Sequence, residues 1–331
     1  MNTVEYVWVD GTKPSKKLRS KIRVFDFNGT ATGLPSIQDP KALWHFDGSS
    51  TGQAPADNSD LVLRPVKSYN NPIDNNVIFL CEVLNHDMTP HTTNARALLE
   101  EVASKVRSQK PWFGLEQEYY ICKNGQSIAA AKLHFMTPDE GAYFCGVGSE
   151  YVFNRDMIME HLNICIDAKL KISGANAEVA PGQWEYQIGA ADPLTVSDDL
   201  WIARWFMERL SERYSVTINY EAKLNNSYNG SGCHMNFSTE PMRDRLLSCE
   251  DMCRKLSEQV QKHLDVYGDG YEKRLTGLHE TASFNDFTWG ISDRTASVRI
   301  AVDETYIEDR RPNANIDPYE ATRVMLETCC F

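Results

Sequence analysis

Glu116 and Glu118 stand two residues apart in Trp112-Phe113-Gly114-Leu115-Glu116-Gln117-Glu118-Tyr119-Tyr120-Ile121, a stretch rich in aromatic and branched side chains. Such a run predicts a β-strand, and on a strand both carboxylates point to one face while Gln117 points to the other. Like charges held that close repel, and burying either unpaired costs several kcal/mol. A divalent cation removes the conflict, and oxygen ligands suit Mg²⁺ or Mn²⁺. A second acidic pair lies in Asn176-Ala177-Glu178-Val179-Ala180-Pro181-Gly182-Gln183-Trp184-Glu185. Pro181-Gly182 suits a type II turn, and a hairpin centred there sets Glu178 opposite Glu185, a placement that again calls for a cation between them.

Two further stretches add a histidine and several arginines. In Asn229-Gly230-Ser231-Gly232-Cys233-His234-Met235-Asn236-Phe237-Ser238 the glycines permit close backbone approach, and the following strand presents His234, Asn236 and Ser238 on one face. Tyr306-Ile307-Glu308-Asp309-Arg310 alternates Tyr306, Glu308 and Arg310 onto one side. Arg274, Arg294 and Arg299 complete the cationic set; arginine matches carboxylate and phosphate with paired hydrogen bonds. Arg294 and Arg299 are five apart, so a regular strand splits them and a bend is needed for both to serve one site.

These residues need strands and helices to hold them. Strands are predicted at 4–9, 21–27, 77–83, 112–121, 174–180, 184–189, 215–221, 234–238, 297–301 and 305–310, and helices from Ala95 to Val106 and at 155–171, 197–213, 250–266 and 318–329. The Gly-, Ser- and Asp-rich loop Phe46–Asp60 reads as either disordered or functional, and the polar segment Thr276–Asp286 as a lid. The boundary between a mostly-β unit, 1–88, and a mixed unit, 89–331, falls in the polar stretch before the first helix.

The totals fit a globular protein of two domains: 331 residues, 42% hydrophobic and 24% charged. A net charge of −12 argues against nucleic acid as a partner. None of the nine cysteines forms a C-x-x-C pair, so reduced thiols in the cytoplasm are the simpler account than zinc. No apolar run suits a signal peptide or a membrane span, and the Asn-x-Ser/Thr triplets at Asn28, Asn225, Asn229 and Asn236 therefore carry no glycosylation meaning.

Taken together, Phe46–Asp60, Trp112–Tyr119, Asn176–Gly189, Asn229–Ser238, Arg274–Phe287, Arg294–Ile300 and Tyr306–Pro318 resemble the eukaryotic-type (class II) glutamine synthetases, in that family's order and along nearly the whole chain. The resemblance implies an α+β fold: a small β-grasp-like N-terminal domain, and a large catalytic domain whose antiparallel strands form an open funnel flanked by helices. It implies a glutamate–ammonia ligase that joins ammonia to the γ-carboxylate of glutamate through γ-glutamyl phosphate, releasing ADP and phosphate. It implies two or three Mg²⁺ or Mn²⁺ ions, held by Glu118, Glu178 and Glu185 and by Glu116, His234 and Glu308, with ATP as co-substrate. By the same resemblance Arg274, Arg294 and Arg310 hold the glutamate and the transferring phosphoryl group, Arg299 the nucleotide phosphates, and Gly230 the amino acid. Trp112, Tyr306, Ser238 and Gln187 serve the nucleotide end. Asp47, from a neighbouring subunit, and Glu280 form the ammonium site and lid, in a homo-oligomer of pentameric rings with active sites at subunit interfaces.

The chain departs from the family pattern in four places. It starts at the first strand without the usual helical extension and stops at Phe331, which leaves the number of rings open. Segment 301–305 is short, and Phe153 and Tyr228 replace a Tyr and a Trp. A γ-glutamyl-amine ligase and a non-catalytic relative are the alternatives. Asp47 favours ammonium over the first, and the complete ligand set argues against the second.

Overall fold

The computed structural model describes residues 3–25, 34–129, 141–224 and 229–331; Asn28, Asn225 and Tyr228 lie outside them. The first sheet comprises β1 (Thr3–Val9), β2 (Leu18–Val24), β3 (Trp44–Asp47), β4 (Asp60–Asn71) and β5 (Asn76–Leu84), in the order β2-β1-β5-β4-β3. β1 and β5 are parallel and the other pairs antiparallel, the mixed arrangement expected of a β-grasp. Alternation along β1 sends Val4, Tyr6 and Trp8 into a core that belongs to this sheet alone. Val7, from the opposite face, joins Tyr69, Ile78 and Leu80 in the main core of the molecule. Both faces are thus covered, which explains the near-continuous apolar runs of β1 and β5.

The second sheet is built around β6 (Trp112–Lys123). With β7 (Gln126–Ser127), β8 (Ile172–Ala177), β9 (Gln183–Ala191), β10 (Thr217–Asn219), β11 (Cys233–Ser238), β12 (Trp289–Ile291), β13 (Val298–Ile300) and β14 (Ile307–Asp309), it runs β12-β13-β14-β11-β6-β9-β8, and β7 and β10 also pair with β6. Only β12 and β13 are parallel. The end strands β12 and β8 do not pair, so the sheet stays open as the funnel requires. Helices α1 (Ala95–Lys105), α2 (Arg155–Asp167), α3 (Pro193–Tyr214), α4 (Glu240–Arg243), α5 (Cys249–Ser257), α6 (Val260–Leu264), α7 (Tyr271–Arg274) and α8 (Pro318–Cys329) accompany it. Leu115, Gln117 and Tyr119 of β6 are fully buried toward the main core, which leaves Glu116 and Glu118 to the other face.

Several elements differ from their sequence expectation. β4 was not predicted, because Pro65, Lys67 and Asn70 interrupt its apolar pattern; the ladder to β5 shifts register between Pro65 and Lys67, a bulge that accommodates the missing N–H. α3 starts four residues earlier than predicted, since Asp192 caps Thr195 N at 3.1 Å and Pro193 takes the first turn. The helix predicted at 250–266 is two, α5 and α6; Met252, Leu256, His263 and Leu264 are buried across the break, so the periodicity survives it. β8 stops at Ala177, and this moves Glu178 out of the strand.

Candidate active site

Register decides where the acidic residues go. On β6 and β9, Glu118 is the direct partner of Glu185, and on β11 His234 is the partner of Glu116. β14 then brings Glu308 against Asn236 of β11. Across the β8–β9 hairpin, however, Asn176 faces Glu185. The predicted Glu178–Glu185 pairing is therefore corrected: Glu178 lies past the strand end, its N–H bonded to Gln183 O at 3.0 Å. Gly182 occupies the turn at φ +77°, as a type II turn requires.

The outcome is two clusters. Glu118, Glu178 and Glu185 offer ligand atoms that all lie within 4.8 Å of one another, and so do Glu116, His234 and Glu308. These are the six residues that the resemblance implied, in the same two groups of three.

Their electrostatics differ. Burial, followed by the charge of neighbouring carboxylates, pushes Glu118, Glu178 and Glu185 above the usual carboxylate range. Their hydrogen bonds come from neutral groups: Gly232 N to Glu118 at 2.7 Å, Asn176 to Glu178 at 2.9 Å, and Gln187 to Glu185. In the second cluster Glu308 is 1% exposed and receives both Arg299 and Arg310, while Asn236 donates to Glu116 at 2.7 Å. His234 Nδ1 sits 3.4 Å from both Glu116 and Glu308. Burial, reinforced by Arg310, drives the imidazole well below its ordinary value, so it is neutral as a metal ligand must be. Hard oxygen donors, one neutral imidazole and carboxylates that burial otherwise protonates fit divalent cations.

Arg274 is buried behind this cluster. Its Nη2 lies 3.0 Å from His234 Nε2, and its guanidinium also donates to the carbonyls of Arg310 and Arg311. A Cβ on Gly232 would collide with that guanidinium and lie 2.9 Å from His234 Nε2, and one on Gly230 would meet Arg274 Cγ at 2.6 Å. The glycines of this loop make room for an arginine.

At one end of the site a cavity of about 390 Å³ is lined by Trp112, Gln187, Ser238 and Tyr306, the predicted nucleotide group, together with Glu116 and Arg243. Sequence reasoning missed Arg243. It stacks 3.9 Å over the Trp112 ring and donates to Ser238 Oγ at 2.8 Å. Its signal was faint: an arginine one turn after the Thr239 cap that ends β11.

The remaining predicted residues stand apart from these clusters. Arg294 is exposed in the turn before β13, with no ion pair among the described residues, so the bend its spacing demanded exists but Arg294 is not drawn to Glu308 as Arg299 is. Glu280 is exposed at φ +56°, its carbonyl accepting from Arg310 at 3.4 Å. Asp47 is exposed on the edge strand β3 and accepts from Ser49 and Ser50 of its own loop. Those hydroxyls hold its carboxyl well below the usual range. Phe153 is buried, its carbonyl accepting from Trp184 Nε1 at 2.9 Å.

Comparison with known proteins agrees with this geometry. The β-grasp domain model of glutamine synthetase matches residues 1–86 and its catalytic domain model matches residues 92–265. A glutamine synthetase of Streptomyces viridochromogenes is 47% identical over 98% of this chain and 96% of its own length.

This chain belongs to the glutamine synthetase family.

Likeness to a cytoplasmic glutamine synthetase 2 of Drosophila melanogaster is 40% identity over 98% of this chain and 90% of that protein. The fold is shared with the glutamine synthetase of Plasmodium falciparum, at a TM-score of 0.74 and 16% identity, covering all of this chain and 72% of the other.

Proposed function

We propose that Glu118, Glu178 and Glu185 hold one divalent cation and Glu116, His234 and Glu308 another, Mg²⁺ or Mn²⁺, two or three ions in all. The reaction is the family's: ATP-dependent ligation of ammonia to the γ-carboxylate of glutamate through γ-glutamyl phosphate, giving glutamine, ADP and phosphate. The observation that carries the assignment is the meeting of six ligand residues in two groups within 4.8 Å. Bound cations neutralise the charge that builds as the γ-phosphoryl group passes to the carboxylate.

The chain's own groups supply the rest. The cavity at Trp112, Tyr306, Ser238 and Gln187 takes the nucleotide, with Arg243 fixing the Trp112 ring from behind. Arg299 faces the nucleotide phosphates, while Arg274, Arg294, Arg310 and Gly230 hold glutamate and the group in flight. Asp47 and Glu280 attract ammonium and help to deprotonate it. The lid carrying Glu280 keeps water from the acyl phosphate. The decisive assay is phosphate release from ATP in the presence of glutamate and ammonium. Glu178→Ala is expected to lose it, and retained turnover in that variant overturns the assignment.

The same reading divides the chain into 1–88 and 89–331, supported by two sheets that share no strand. It also includes a homo-oligomer of pentameric rings in which Asp47 serves the neighbour's site, supported by Asp47 bonding within its own loop and not to the catalytic sheet among the described residues. Mixing Asp47→Ala and Glu178→Ala chains during refolding tests this. Shared sites restore about a quarter of full activity in a random mixture, and sites within one chain restore none. A cytoplasmic location is proposed from the nine free cysteines.

A further inference from the structure

A groove of about 850 Å³ opens between the β1–β2 connection and α3, outside the site described above. It abuts the catalytic strand through Arg204, a lining residue of α3 that donates to Gln117 Oε1 at 2.8 and 2.6 Å. Gln117 stands between Glu116 and Glu118. In a chain of net charge −12 the lining is cationic: eight Lys or Arg against four Asp or Glu.

Several of these cations lack a counterion. Lys13, Lys17, Lys223 and Lys273 form no ion pair with the described residues, unlike Lys16, Arg19 and Arg209, which hold Asp317, Asp10 and Asp74. Lys223 is pushed down by partial burial and by the nearby charge of Arg274, the mark of a positive field without an anion in it. On the acidic side, burial raises Glu208 to about 7, so it offers only part of a negative charge at neutral pH. Two donors of lining residues, the indole N–H of Trp201 and Nε–H of Arg209, are buried in the groove wall with no hydrogen-bond partner among the described residues. An unpaired buried donor costs about 1–3 kcal/mol and is satisfied by an acceptor oxygen. The volume is that of a small-molecule site.

We propose that this groove binds a small multivalent anion, one carrying two or more carboxylate or phosphate groups. Excess lysines at the rim supply the attraction for such an anion. The site stands on geometry and charge alone and does not depend on the reaction assigned to the metal clusters.

Isothermal titration of the full, metal-free chain with citrate, and separately with inorganic pyrophosphate, tests it. The two arms distinguish carboxylate from phosphate recognition. Wild type is compared with the double variant Lys17→Glu/Lys273→Glu and with Arg299→Gln in the catalytic cavity. At least one anion is expected to bind saturably, about tenfold or more weaker in the lysine variant and unchanged in Arg299→Gln. Basal activity of the lysine variant stays near wild type and certifies its folding. No binding of either anion to wild type up to about 10 mM overturns the proposal. So does binding that survives in the lysine variant or is lost in Arg299→Gln.

Discussion

Glu185 has Glu118 across the ladder on one side and Asn176 on the other, and Glu178 beside them at the hairpin end. Three carboxylates in one buried place oppose folding unless protonated or bound to a cation. Their raised pKa values mean that the folded chain binds more protons than the unfolded chain above the ordinary carboxylate pKa. Stability conferred by those protons is present at low pH and lost as pH rises through the folded values. Chelated protein is therefore expected to melt at progressively lower temperature between about pH 5 and 8, and saturating Mn²⁺ to flatten that slope; parallel curves with and without metal contradict it. Glu185→Gln removes one charge from the cluster. Its two effects have opposite sign: the chelated protein gains about 1 kcal/mol or more at pH 8, while Mn²⁺ affinity falls at least about tenfold. Calorimetric melting and Mn²⁺ titration of one preparation read both. Because Glu308 already carries two arginines and the three-carboxylate cluster carries none, two Mn²⁺ affinities are expected, the tighter one lost in Glu185→Gln. At this scale the sequence was most legible: residue type and alternation of faces bring Glu116, Glu118, Glu185, His234 and Glu308 to one side of the sheet. The facing of Glu178 and Glu185 was not legible, since it depended on where β8 ended rather than on which residues it contained.

Elements hold those ligands through contacts that leave little trace in composition. The loop before β11 is an example, for its glycines read as places where a ligand approaches, whereas they admit Arg274 against His234. Gly232→Ala drives a methyl into that guanidinium and is expected to cost about 1–3 kcal/mol of stability. Turnover falls at least about tenfold with it, as the His234 ring loses its support. Melting and steady-state assays check both, and a wild-type kcat in Gly232→Ala rules the account out. β4 shows the opposite failing: a strand of 12 residues hidden by one proline and two polar interruptions, whose real signature is the bulge at Pro65. The helix at 318–329, by contrast, was legible to the residue, and its start is marked by Asp317 as cap and Pro318 in the first turn.

The two sheets are locked together by charges that no local pattern reveals. Asp199 on α3 is 1% exposed and accepts from Lys67 and Tyr69 of β4, each at 2.8 Å, and from Lys171 N at 2.9 Å. Its neighbour Asp198 holds Arg96 of α1 with two bonds and Tyr319 of α8 at 2.7 Å. Adjacent aspartates on one helix thus face different units, a conjunction that required the fold to be known. Asp199→Ala strands a buried tyrosine and a half-buried lysine and is expected to cost about 1–3 kcal/mol. Its calorimetric trace should then separate into two transitions, one for each sheet with its own core. A single cooperative transition in the variant would place the coupling in the apolar contacts of Val7, Ile78 and Leu80 instead.

The stack of Arg243 on Trp112 has an optical corollary. Trp112 is 48% exposed at the mouth of its cavity, whereas Trp8, Trp184, Trp201 and Trp205 are buried. Its indole therefore emits at longer wavelength than those four and is the one that a collisional quencher such as acrylamide reaches in that cavity. A flat base sliding onto the ring would shield it and shift the emission to the blue, so the chain carries its own gauge of nucleotide arrival, needing no label.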